Sequence, residues 1–193
     1  KAETKINVAT AGGKPTSFLV HQVRNSEFTL FAEDGISPRD DIIRTVEELL
    51  REAADDVAGE VKMPPIIVAD LEKAFGADIM GGYDYKKNRL FLSSKYDTRE
   101  KILAYVQRNN TQDSLQFANQ TVLAPILHEL GHDFYYSFIK EVAKERKIPY
   151  NKSKELINTI VKNWGNELIL QDRTIIRILS KYADAGFSEE RYT

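Results

Sequence analysis

The chain has 193 residues, with 27 Lys+Arg against 29 Asp+Glu and a formal net charge of −2. That balance argues against a nucleic-acid binder working by bulk electrostatics. No apolar run approaches the ~18 residues a membrane helix needs. Cys is absent, which excludes a disulfide scaffold and thiolate chemistry.

Hydrophobics at 42% and aromatics at 10% suffice for a real core. One domain is expected over 17–193, with its C-terminus cut short. Residues 1–16 are polar and punctuated by Gly and Pro, and read as a linker or loosely ordered arm. The chain opens on Lys1 rather than Met, so an excerpt of a longer product is expected. A soluble setting is expected, with the compartment left open between a secreted and a virion-associated parent.

In chain order, Phe18–Val23 and Glu27–Phe31 read as strands. Ser37-Pro38 has the residues of a helix start, and Ile42, Ile43, Val46, Leu49 and Leu50 recur at helical spacing up to about Val57. Pro64-Pro65 breaks the chain before a buried strand, Ile66–Ala69, and a short helix over Ala69–Ala77. A hairpin follows: a strand to Tyr85, a turn at Lys86–Asn88 and a strand over Leu90–Leu92. Asp97 and Glu100 form a capping box for a helix to about Arg108. Asn109–Asn119 reads as a loop, Thr121–Arg146 as a helix with Pro125 near its start, and Ile157–Leu168 as part of another. A further apolar stretch covers Ile175–Tyr182. Strands mixed with helices first, then helix alone, predict an α+β fold with a small front sheet and a helical C-terminal half.

Residues 128–132 read His-Glu-Leu-Gly-His. On a helix, positions i and i+4 lie on one face about one turn apart, so His128 and His132 can offer two imidazoles to one metal ion. Zn²⁺ accepts such ligands and keeps a place for water in catalytic sites. Glu129 can reach that water without being a ligand, as a general base must. The chain has only 3 His, so a pair at this spacing with Glu directly after the first is a rare coincidence. Gly131 costs ~1 kcal/mol against Ala inside a helix, which predicts that something packs closely there.

A third ligand is not fixed by spacing. His21 is far upstream and reads as a strand histidine. Glu141 and Glu145 lie turns beyond the pair on the same helix. Glu167 borders the apolar stripe Ile160–Trp164–Leu168, and Glu189 and Glu190 are the remaining candidates.

The segment His128–His132 resembles the active-site helix of the zincin metallopeptidases. Gly82-Tyr83-Asp84 with Asn88–Leu92 resembles the hairpin of that fold whose edge strand binds substrate. The tail, with Ser180-Lys181-Tyr182-Ala183 and Glu189 seven residues after Tyr182, is similar to a motif of three groups. These are the catalytic domain of anthrax lethal factor, the Pro-Pro endopeptidases and zincin-like domains of phage minor head proteins. The resemblance implies a zincin-like fold, Glu189 as the third zinc ligand and Tyr182 as the oxyanion donor.

The expected function is therefore zinc-dependent endopeptidase hydrolysis, with Glu129 as general base. A peptide or protein substrate is expected along the edge strand near Leu90–Leu92. The alternative is a virion- or prophage-associated structural protein carrying a zincin-like domain, catalytic or not.

Overall fold

The computed structural model describes residues 3–8, 16–56, 62–111, 114–117 and 119–171, with side chains of the last helix as far as Trp164. The fold is α+β. In chain order the elements are β1 (Glu3–Val8), β2 (Thr16–Gln22), β3 (Leu30–Glu33), α1 (Asp41–Asp56), β4 (Ile66–Ala69) and α2 (Leu71–Phe75). There follow β5 (Gly81–Asp84), β6 (Arg89–Ser93), α3 (Arg99–Asn109), β7 (Asn110–Thr111), β8 (Ser114–Leu115), α4 (Ala124–Glu145) and α5 (Tyr150–Gln171).

Six strands form one sheet in the order β1-β2-β3-β4-β6-β5. β3, β4 and β6 are mutually parallel, while β5 returns antiparallel beside β6. The register stacks apolar residues in rows: Leu30, Ile66 and Leu90 in one, Ala32, Val68 and Leu92 in the next. These rows face the main core with α1, α3 and α4. Ile67, Ala69 and Phe91 point the other way, into a smaller cluster with Ile6, Phe18, Val20 and α2. Central strands buried on both faces explain the uninterrupted apolar runs Ile66–Ala69 and Leu90–Leu92. The sheet is curled: Arg89, at the start of β6, donates to the Asn7 carbonyl on β1 at 3.2 Å.

Several expectations are corrected. Residues 3–8 are not a loose arm but an edge strand paired with β2 from Glu3↔His21 to Val8↔Thr16. An edge strand holds by backbone pairing and needs little apolar content, and here, among the described side chains of β1, Ile6 supplies the core contact. The helix expected at Ser37-Pro38 starts at Asp41. The backbone N–H of Ser37 donates to Asp40 Oδ2 at 2.8 Å and closes a separate turn first. Thr98, not Asp97, caps α3 by accepting from the Lys101 N–H. The Asn109–Asn119 loop carries the two-residue strands β7 and β8. α5 opens directly after Pro149 and extends beyond Leu168, whereas Ile175–Tyr182 lies outside the described residues. No helix among the described residues is long and apolar enough to cross a membrane.

Candidate metal centre on α4

Helix α4 begins with Pro125 in its first turn, where a missing N–H costs nothing. Its buried stripe is Ile126, Glu129, Leu130 and Asp133, the i, i+3, i+4, i+7 pattern of one helix face. Ile126 and Leu130 enter the main core. The two acids of the stripe lie against β5. His128 and His132, one position before each acid, are half-buried.

The helix and the strand meet in register. A Cβ on Gly81 would lie 3.0 Å from Glu129 Cγ and 3.4 Å from its Oε1. Two residues on, the Tyr83 hydroxyl meets Asp133 Oδ1 at 2.8 Å. Two further on, Tyr85 stacks on Tyr136 with ring centroids 4.8 Å apart, and its carbonyl accepts from Lys140 Nζ at 3.3 Å. A two-residue step along a strand is about 6.6 Å and a four-residue step along a helix about 6 Å, so the two repeats match over this length. A side chain at Gly81 would crowd Glu129.

The imidazoles of His128 and His132 have centroids 4.8 Å apart at 89°. The Phe117 ring stands edge-on to His128 at 5.8 Å. Phe117 is placed by Asn110, a buried side chain that accepts from the Phe117 N–H at 2.8 Å. Asn110 also donates to the carbonyls of Phe117 and Asn119, each at 3.1 Å. Beside the motif lies a cavity of about 90 Å³, walled by Gly81, Phe117, Pro125, His128 and Glu129 among others. That is room for several waters against His128 and Glu129.

Burial sets the charge state of the site. It pushes Glu129 up to about 8. It pushes His128 down to about 4, with His132 adding a smaller push in the same direction, and it holds His132 below the usual histidine value. Neutral imidazole is the form that binds a metal ion. A divalent charge beside Glu129 opposes the burial shift and returns the carboxyl toward its ionised form. Strong shifts gathered on one turn of helix beside a cavity make that turn the candidate functional site.

The second acid of the stripe is tied to the fold rather than to the cavity. Asp133 is only 4% exposed. The Tyr83 hydroxyl sits between Asp133 Oδ1 and the Asn88 side-chain amide. The phenol has one proton to give. The amide can turn its NH₂ to the phenol oxygen, and the proton then goes to Asp133. Burial, then Asp133 itself, raises the phenol above its ordinary value and keeps it a donor. Asn88 has φ 50° in the β5–β6 turn, a left-handed position that Asn tolerates.

The structure brings His128, Glu129 and His132 together as the spacing predicts. No group of three or more His, Cys, Asp or Glu placed to hold a metal occurs among the described residues. Tyr182, Glu189 and Glu190 lie outside the described residues. Glu167 lies on α5, but its side chain is not among those described. Glu141 and Glu145 are exposed at the far end of α4. His21 is buried on β2, separated from β5 in the sheet by β3, β4 and β6. It lies on a strand, as expected, and its Nε2 has no hydrogen-bond partner among the described residues.

Two further expectations are overturned. A Cβ on Gly131 meets nothing within 4 Å among the described residues, so none of these accounts for that glycine by close packing. The segment Leu90–Leu92 is not the sheet edge: β6 pairs with β4 on one side and β5 on the other, and both leucines are buried. The edge strand of the hairpin is β5. Reading the residues one by one missed Gly81 and Tyr83. The doubled Gly81-Gly82 before a strand was the available signal, since glycine in a strand marks close approach of another element.

Comparison of the chain with protein-family models, with curated proteins and with solved structures gave no match.

Proposed function

We propose that this chain is a zinc-dependent endopeptidase of the zincin type. The observation that carries the reading is the arrangement on α4. Two half-buried imidazoles lie one turn apart; His128 and the buried carboxyl of Glu129 wall a cavity, and that carboxyl lies against the edge strand. The donor set suits zinc, which takes imidazole nitrogen readily and needs no fixed geometry from d-electrons. His128 and His132 would hold it, and the resemblance of the tail adds Glu189 as the third ligand. Bound zinc supplies Lewis acidity for a carbonyl and for water.

The chain's own groups do the rest. Glu129 accepts a proton from water and passes it to the leaving amine. Tyr182 donates to the developing oxyanion, as the resemblance implies.

The edge of β5 receives the peptide. Ser93 N–H donates to the Met80 carbonyl at 2.8 Å, so Met80 and Ser93 are a hydrogen-bonded pair of the antiparallel ladder. Gly82 and Asp84 then bond to β6 by alternation, and the backbone groups of Gly81 and Tyr83 point to the open edge. An added strand pairs with those two residues.

The test is Glu129→Gln in a peptide-library cleavage assay. The variant is expected to fold, to keep its zinc and to lose turnover by about 10²- to 10⁴-fold. Turnover near that of the parent contradicts the role of Glu129. A zinc-loaded parent that cleaves nothing across the library contradicts the peptidase reading and favours the non-catalytic alternative.

A further inference from the structure

Gly81 and Tyr83 are the residues of β5 whose backbone faces the open edge, and the same two residues hold α4. Gly81 lies against Glu129, and Tyr83 is hydrogen-bonded to Asp133. The two contacts differ in kind. The Gly81 contact is non-directional packing and lets the helix roll. The Tyr83 contact is a directional hydrogen bond to a buried carboxyl, made from a ring that also stacks on Tyr136 at 6.1 Å. Asp133 follows His132 directly. A roll of α4 that lengthens the Tyr83–Asp133 bond swings His132 through the same angle.

We propose that Tyr83 is a positioning residue for His132: its hydroxyl, bonded to Asp133, locks α4 in register with β5 and fixes where the second imidazole points. The proposal rests on the reading of His128 and His132 as zinc ligands. In this role Tyr83 and Asp133 act through the helix rather than as ligands. Their effect is on the geometry of the pair.

A structural bond and a positioning bond both lower the melting temperature when broken. Only a positioning bond changes the metal site at temperatures where the protein is fully folded. Zinc affinity is measured by competition with a chromophoric chelator, and the ligand field by the visible spectrum of the cobalt(II)-substituted protein. Tyr83→Phe keeps the ring and its stack and removes only the hydroxyl. It is expected to weaken zinc binding about 10-fold, in the range found for partners that orient metal ligands, and to shift the cobalt bands.

Asp133→Ala is expected to fall as far. The double variant should fall no further than Tyr83→Phe alone, because the bond Asp133→Ala breaks is already lost with the hydroxyl. Asp133→Asn keeps an acceptor for the hydroxyl and should stay within about 3-fold of the parent.

Tyr83→Phe or Asp133→Ala with parental zinc affinity and parental cobalt spectrum overturns the proposal, even if the variant melts earlier. Additive losses in the double variant overturn it as well. A parent that binds no zinc overturns the metal reading and this inference together, and that result is distinct from the first two.

Discussion

Gly81 leaves no space for a side chain beside Glu129: a Cβ on the glycine would sit 3.0 Å from the glutamate Cγ. Gly81→Ala must therefore push the Glu129 side chain by a few tenths of an ångström, and a larger residue must push it further. The imidazoles are untouched by this change. Zinc content is expected to stay at the parental level while turnover falls about 10- to 100-fold, since small misplacements of a catalytic group carry costs of that order. Steady-state kinetics on the zinc-loaded variant is the check. Gly81→Ala and Gly81→Val both turning over like the parent would show that Glu129 has space to spare.

Asn110 holds the loop that brings Phe117 to His128. Its side chain makes three hydrogen bonds to loop backbone, at 2.8, 3.1 and 3.1 Å. Asn110→Ala leaves the buried Phe117 N–H and carbonyl without those partners. A loss of about 2–4 kcal/mol in urea denaturation is expected, with faster amide exchange over 116–117. A loss below about 0.5 kcal/mol, typical of an ordinary surface change, would mean the loop is held by other contacts.

Asp78 joins the end of α3 to the segment that enters β5. Its carboxylate accepts from the Tyr96 hydroxyl at 2.6 Å, from Lys95 at 3.0 Å and from Arg108 at 3.1 Å. The Tyr96 hydrogen bond and the two cations hold its pKa below the ordinary carboxylate value, against the opposing effect of burial. The unfolded chain binds the proton more readily, so stability rises with pH in this window. The contribution is present above the unfolded value of about 3.9 and is lost as pH falls through the lower folded value. The melting-temperature gap between the parent and Asp78→Asn should be widest near neutral pH and close below about pH 4. A gap independent of pH would mean the variant acts through shape alone.

The clustering of His128, Glu129 and His132 on α4 was legible because it is local. His128, Glu129 and His132 lie within five residues, and helix geometry alone places them. Leu90-Phe91-Leu92 showed equally plainly that a strand was there, but not where it sat in the sheet. Either strand of a hairpin can pair inward, and the choice is made by β4, which lies twenty residues upstream in the chain. The uninterrupted apolar run was the clue that both faces of that strand are covered. Glu3–Val8 was misread for the opposite reason. An edge strand satisfied by backbone pairing leaves little trace in side-chain pattern. Tyr83 and Asp133 are fifty residues apart, and nothing in either neighbourhood announces the other. Such pairs become visible only when β5 and α4 are laid side by side.

The most direct test of the account is the zinc content of three proteins measured together by elemental analysis after mild dialysis: the parent, His128→Ala and His132→Ala. The account predicts about one zinc per chain in the parent and a loss of most of it in each variant, because a site built on two imidazoles does not survive the removal of either. A parent without zinc, or a His132→Ala variant that holds as much zinc as the parent, contradicts it.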